Sequence, residues 1–324
     1  MTFHRFAKIR RATAGALGIA FVAFAAQGAA AQDSVEIGLA TKTWYPSVIA
    51  EAALRQGLFE KQGVDATLTV YQSGAEAFTA MAAGAADVVS TAPNAVASGR
   101  PRGVNSKIIG ESGDNNFGWQ LIVPTDSDLK TLEDLDGKTV GITSAGSLSD
   151  ALAKWAKSKA GVEFNTIPLG GGGLVPNLLT GNVDAAVIYS PLSYQVIKDG
   201  DGVSIFDFGA QMPAHLNAGW AATDAMIADN PELIQKTVNA LYEGLAYLQD
   251  NPEEGIALVA EINGIPEEIA KEEYENVIKM ASRDGVMTLE GAETALEFAR
   301  AAGFSDLAPA ADIFTDAFTP APKN

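Results

Sequence analysis

The chain has 324 residues, with 40 Asp and Glu against 22 Lys and Arg, a formal net charge of −18 and no cysteine. So acidic a chain repels phosphate backbones and anionic lipid, which argues against nucleic-acid and membrane-surface partners. The lack of thiols excludes disulfides, cysteine nucleophiles, thiolate metal sites and a lipid-modified N-terminal cysteine.

The N-terminal stretch carries His4, Arg5, Lys8, Arg10 and Arg11, then an apolar run from Ala12 to Ala26, then Ala29-Ala30-Ala31. This is the three-part layout of a secretory signal, residues 1–31, with cleavage expected after Ala31. The apolar run falls short of the roughly 20 residues a membrane span needs, so no direct membrane anchor is expected. Arg10-Arg11 leaves open whether export is general or twin-arginine. The remaining chain is long enough for two domains or one bilobed body.

Val35 to Leu39 reads as a strand, and Pro46 opens a helix that Gly57 stops. Val64 to Tyr71 is β-rich, and Ser73-Gly74-Ala75-Glu76 has the capping-box spacing that starts the next helix. Asp87 to Ser90 is the third strand. Trp119 to Val123 is an apolar run, Thr139 to Thr143 a strand, and Ser147 to Asp150 a weaker capping box. Val162 to Ile167 reads as a strand, followed by a glycine turn (Gly170 to Gly173), a helix through Leu179 and a strand from Ala185 to Tyr189. Gly219 to Thr223 is a second apolar run. From Pro231 the pattern is helical: Ile234, Val238, Leu241, Leu245 and Leu248 form one stripe, and further helices are expected at Pro252, Pro266 and Leu289.

Two parts of this order match. Gly63 and Gly161 stand 98 positions apart, while Gly84 and Gly181, like Asp87 and Asp184, stand 97 apart. Two copies of a long unit exclude a solenoid. Strands alternating with helices instead give two like α/β lobes of doubly wound type. The helical tail has no copy, so lobe 1 is expected to be discontinuous, residues 32–121 and 222–324, with lobe 2 at 122–221. Trp119 to Val123 and Gly219 to Thr223 are the candidate hinge strands.

Ligands of open α/β sheets sit beyond the carboxyl ends of the strands, which points to specific loops. Thr41-Lys42-Thr43-Trp44-Tyr45 precedes a helix whose N-terminus favours anions, with Lys42 a possible cation and Trp44 and Tyr45 possible stacking surfaces. Ser73-Gly74 and the Gly171-Gly172 turn allow close backbone approach. Thr91, Asn94, Ser144 and Tyr189 follow strands and should face inward, with Asn94 and Tyr189 able to offer directional hydrogen bonds. Asp114 and Trp119 lie at the first hinge. A carboxylate there, Glu111 or Asp114, would imply an N–H on the ligand, although surface exposure is the expectation for both. The glycine turn lacks the Lys-Ser or Lys-Thr of a phosphate loop. His215 is the one histidine beyond the signal, so no multi-histidine metal site can form and a structural role is expected. None of the five arginines beyond the signal falls in these loops, which disfavours bidentate clamping of an oxyanion.

Ile37-Gly38-Leu39 with its aromatic-Pro loop, Gly57-Leu58-Phe59-Glu60-Lys61-Gln62-Gly63-Val64-Asp65, Ala83 to Val88 and Leu132 to Gly141, in that order behind a secretory signal, resemble the periplasmic solute-binding proteins of the nitrate, sulfonate and taurine type. These are related to proteins that bind thiamine-pyrimidine precursors. The resemblance covers nearly all of the chain after residue 31. It implies a type II periplasmic binding fold, two lobes joined by two crossing strands, that delivers a small-molecule solute to an inner-membrane ABC permease; a monomer is expected. The expected ligand is a sulfonate, an aromatic acid or a pyrimidine-like heterocycle, bound without a cofactor. The rival is an enzyme on the same scaffold related to pyrimidine-precursor synthases, using pyridoxal phosphate on Lys42. Those synthases need an internal histidine and a cysteine-rich iron site that this sequence lacks.

Overall fold

The computed structural model describes residues 33–323; the expected secretory signal, 1–31, lies outside them. The chain opens with β1 (Asp33–Leu39), α1 (Tyr45–Arg55), α2 (Leu58–Lys61), β2 (Val64–Val70), α3 (Gly74–Ala82), β3 (Val88–Thr91), α4 (Pro93–Gly99) and β4 (Ser106–Gly113). It continues with β5 (Gln120–Pro124), β6 (Thr139–Ile142), α5 (Leu148–Ala160), β7 (Asn165–Pro168), α6 (Leu174–Leu179), β8 (Ala185–Ile188), α7 (Leu192–Lys198), β9 (Gly202–Asp207) and α8 (Phe208–Gln211). It ends with β10 (Ala218–Thr223), α9 (Asp224–Asp229), α10 (Pro231–Asp250), α11 (Pro252–Asn263), α12 (Glu267–Asn276) and α13 (Leu289–Ala301).

The strands form two five-stranded sheets of the same plan, β2-β1-β3-β10-β4 and β7-β6-β8-β5-β9. In each, three parallel strands meet one antiparallel strand, β10 in the first and β5 in the second. The duplication seen in the sequence is thus a duplication of sheets. Its two aspartates do the same work: Asp87 accepts the Glu36 N–H at 2.9 Å, and Asp184 accepts the Thr139 N–H at 2.8 Å. Each carboxylate ties the strand that ends its copy to the strand that begins it. Both capping boxes form as well. Ser73 Oγ accepts the Glu76 N–H while Glu76 accepts that of Gln72, and Ser147 Oγ accepts the Asp150 N–H while Asp150 accepts that of Gly146.

Three expectations shift. The strand read from Val162 to Ile167 is Asn165–Pro168, because Gly161 ends α5 in a left-handed turn that keeps Val162 out of the sheet. The two apolar runs lie inside the sheets as β5 and β10, and the chain passes between sheets just before each, over residues 114–119 and 208–217. The tail packs on the first sheet's helices, with α10 along α1, but it also reaches the second half, where α13 lies against α5 and α12 against α7. Among the described residues no helix is long and apolar enough to cross a membrane.

Candidate functional site

The two sheets face each other across a cavity. One wall comes from the ends of β1 and β3 and the starts of α1, α3 and α4: Ala40, Thr41, Trp44, Gly74, Thr91, Ala92 and Ala95. The other comes from the second sheet: Thr143, Gly146, Ser147, Leu148 and Tyr189. Trp119, at the first crossover, closes one side. The cavity volume is about 20 Å³, room for roughly one water molecule, so the walls are nearly in contact.

Direct bonds join the walls. Thr43 donates to the Tyr189 hydroxyl at 3.3 Å, Ser144 donates to Ser73 Oγ at 2.7 Å, Asn94 Nδ2 donates to the Gly146 carbonyl at 2.9 Å, and the Gly171 N–H donates to the Gln72 carbonyl at 2.9 Å. Gly171 has to be glycine for this approach: a Cβ there would lie 2.7 Å from both Thr41 Cγ2 and the Tyr189 hydroxyl. A file of rings runs through the same region, edge to face for Tyr45 and Trp44 (centroids 5.4 Å apart) and for Trp44 and Trp119 (6.0 Å), and tilted for Trp119 and Tyr189 (5.4 Å).

The electrostatics of the cavity come from dipoles. No lining residue carries a charge. Helices α1, α3 and α5 all begin at the cavity wall, at Trp44, Ser73-Gly74 and Ser147-Leu148, and each presents the positive end of its dipole there. The α1 terminus has no side-chain cap. Two polar groups on lining residues are buried without a hydrogen-bond partner, the Thr41 hydroxyl, which can donate or accept, and the Trp119 indole N–H, which can only donate. Tyr189 lies beside both Thr41 and Thr43. Its phenol is pushed above its ordinary range by burial, and because Thr43 donates to it, its own proton is free for another acceptor. Each unspent group in the cavity can therefore donate, and the indole can do nothing else.

The residues expected from the sequence divide into three sets. Trp44, Gly74, Thr91, Trp119 and Tyr189 line the cavity. Thr43, Ser73, Asn94, Ser144 and Gly171 join its walls. Lys42, Tyr45, Asp114 and Gly172 do neither. Lys42 is exposed, because the loop alternates and turns Thr41 and Trp44 inward instead. Tyr45 is buried under α1 with its hydroxyl against Ser112. Asp114 belongs to a different pocket, and Gly172 faces open space. Glu111, expected on the surface, is buried. His215 is buried too, its ring bonded to the Pro213 carbonyl and near Asn116. Thr41 enters the sequence reading only as part of its loop, and Thr143 and Leu148 do not enter it as cleft residues; no local signal sets those two apart from the strand and helix they belong to.

The sequence pattern of the NMT1/THI5-like family matches residues 48–255. A Brucella abortus protein described as a binding protein is 25% identical over 289 residues, covering 87% of this chain and 88% of its own. The alkanesulfonate-binding protein SsuA of Xanthomonas axonopodis pv. citri, solved with MOPS bound, superimposes with a TM-score of 0.75 at 17% identity, covering 88% of this chain and 99% of its own. The periplasmic nitrate-binding protein NrtA of Synechocystis PCC 6803 superimposes with a TM-score of 0.68 at 15% identity, covering 83% and 80%. At these identities the two structures speak for the fold.

Proposed function

Because the chain belongs to the NMT1/THI5-like family and has the fold of periplasmic binding proteins, we propose that it captures a small organic anion in the cleft between its sheets, in the periplasm, and delivers it to an inner-membrane ABC permease. One observation carries the ligand class: the cavity holds unpaired groups that can all donate, one of them the donor-only Trp119 indole, at the meeting point of helix N-termini, with no charged lining residue. Such a site favours acceptor oxygens on a singly charged head, with an apolar or aromatic body against Trp44, Trp119 and Leu148. A sulfonate or an aromatic carboxylate fits best; a pyrimidine-like heterocycle, with ring nitrogens as acceptors, is the second choice. The sulfonate and nitrate named for the two solved relatives carry the same kind of oxyanion.

A ligand touching both walls stabilises a closed form over the open one by its differential affinity, and because the present cavity has room for about one water, such a ligand takes the place of some of the direct wall-to-wall bonds. The cavity also supports capture without chemistry. Its one titratable lining residue is Tyr189, which burial keeps protonated and so without a basic site near neutrality, and Lys42 is exposed outside the cavity lining. Thermal-shift and tryptophan-fluorescence titrations with an alkanesulfonate, an aromatic carboxylate and a pyrimidine test this reading, with the matching alcohol as control. One of the three raises the melting temperature and changes Trp emission. If none does, the reading fails.

A further inference from the structure

A second pocket, of about 580 Å³, shares no residue with the cleft. It gathers the ends of both crossovers and the tail: Glu111 and Asp114 beside the first crossover, His215 on the second, Met280 and Val286 on the loop before α13, and Glu290 in the first turn of α13. Glu111 is only 8% exposed. Its backbone is held on both sides, with its N–H donating to the Gly285 carbonyl at 3.0 Å and its carbonyl accepting the Tyr242 hydroxyl at 2.6 Å. Among the described residues its carboxylate has no hydrogen-bond or ion-pair partner.

The charged and titratable groups around that carboxylate do not supply a cation. Asp114 and Asp284 are acidic, Tyr45 and Tyr242 are held protonated by burial, and burial also pushes His215 down toward its neutral form. Two basic side chains of the neighbouring segment are committed elsewhere, Arg283 to Asp250 at 2.6 Å and Lys279 to Glu275 at 2.7 Å. The rim is apolar, since Met280 and Val286 are 52% and 43% exposed. A buried carboxylate without a donor, acidic neighbours and an apolar rim call for a cation carrying a short hydrocarbon stem.

We infer that this pocket binds a small organic ammonium ion, its charged head against Glu111 and Asp114 and its alkyl part against Met280 and Val286. The site is independent of the cleft. Burial, reinforced by Asp114 and Asp284, raises the Glu111 pKa to about 8. A cation must therefore displace a proton at neutral pH, and binding strengthens as pH rises.

The test is calorimetric titration of the exported chain with propylammonium chloride at pH 7 and pH 9, with sodium chloride at equal ionic strength as control. Saturable binding is expected, about tenfold tighter at pH 9, the ratio of ionised Glu111 at the two pH values for a pKa near 8. Glu111→Gln abolishes the pH dependence and weakens binding at least about tenfold, whereas Trp119→Phe in the cleft leaves it unchanged. Val286→Ser, at an exposed position, probes the rim without risk to the core: lengthening the ion from methyl- to propylammonium strengthens binding to the natural chain and not to the variant. Binding no better than sodium, an unchanged Glu111→Gln titration, or an equal chain-length gain in Val286→Ser overturns the assignment.

Discussion

The cleft and the pocket beside the crossovers are opposites in their unspent hydrogen-bonding groups. In the cleft, the Trp119 indole N–H lacks an acceptor and the Thr41 hydroxyl, free to donate, lacks a partner. Beside the crossovers the unpaired acceptors include two buried carboxyls, Glu111 open to a pocket and Glu273 fully enclosed, along with the Asn217 amide oxygen. A buried polar group without a partner costs about 1–3 kcal/mol, more when charged. The contrast teaches that the character of a site follows from the sign of the missing partner: an acidic protein has a cleft suited to anions. It also separates the two regions by pH, because hydroxyl and indole donors do not titrate near neutrality whereas the carboxyls do.

The largest expected effect breaks the comparison on its acidic side. Burial raises both Glu111 and Glu273 to about 8, with Asp114 and Asp284 adding to the first, while for the second the Ser190 hydroxyl opposes the rise and Glu272 adds to it. A carboxyl whose folded pKa is raised stabilises the fold fully below its unfolded pKa, and that stability is lost as pH climbs toward the folded value. Urea unfolding should therefore show stability falling between pH 4.5 and 8, with each group contributing a slope of up to about 1.4 kcal/mol per pH unit. Glu273→Gln should flatten the profile, and the double variant with Glu111→Gln should flatten it further; a profile unmoved by both would remove these groups from the account.

Next in size is Gly171→Ala. Its methyl would meet Thr41 and Tyr189, so closure should lose about 1–3 kcal/mol. Small-angle scattering with saturating ligand should then show a larger radius than the natural chain. On the donor side, Trp119→Phe should weaken a bound sulfonate or carboxylate by about tenfold, the worth of one hydrogen bond to a charged acceptor. The effect should persist from pH 6 to 9, unlike anything measured at Glu111. Smallest is Ser144→Ala, which removes one wall-to-wall bond to Ser73 and should cost about 0.5–1.5 kcal/mol of closure, read as a few-fold loss of affinity with the unfolding midpoint nearly unchanged.

Much of the fold was legible because its signals are local. Glycines at Gly63, Gly161 and Gly181 adopt positive φ where the chain turns, and Ser73 and Ser147 cap helices three residues ahead. The paired aspartates are visible as spacing, although their strand-to-strand bonds are not. The cleft was legible as a set of loops, and Trp44, Thr91 and Tyr189 line it for the reason that placed them there, their position at strand ends. The use of Ser73, Asn94 and Ser144 to hold one wall to the other was not legible, since it depends on how closely two distant segments approach. Lys42 shows the same limit in reverse: its charge suggested a ligand contact, and the turn of one loop points it to solvent. Glu111 looked like a surface charge at a strand end. Its burial needs Gly285 and Tyr242, far along the chain.

The place of β10 has a consequence for biogenesis. This strand lies between β3 and β4, yet it is translated after every strand of the second sheet. The sheet begun first therefore cannot zip shut until residues 218–223 arrive, whereas the one begun later has all five of its strands by residue 207. A nascent or translocating polypeptide would thus assemble its middle before its beginning, with the early strands waiting, unpaired at one edge, for their missing neighbour.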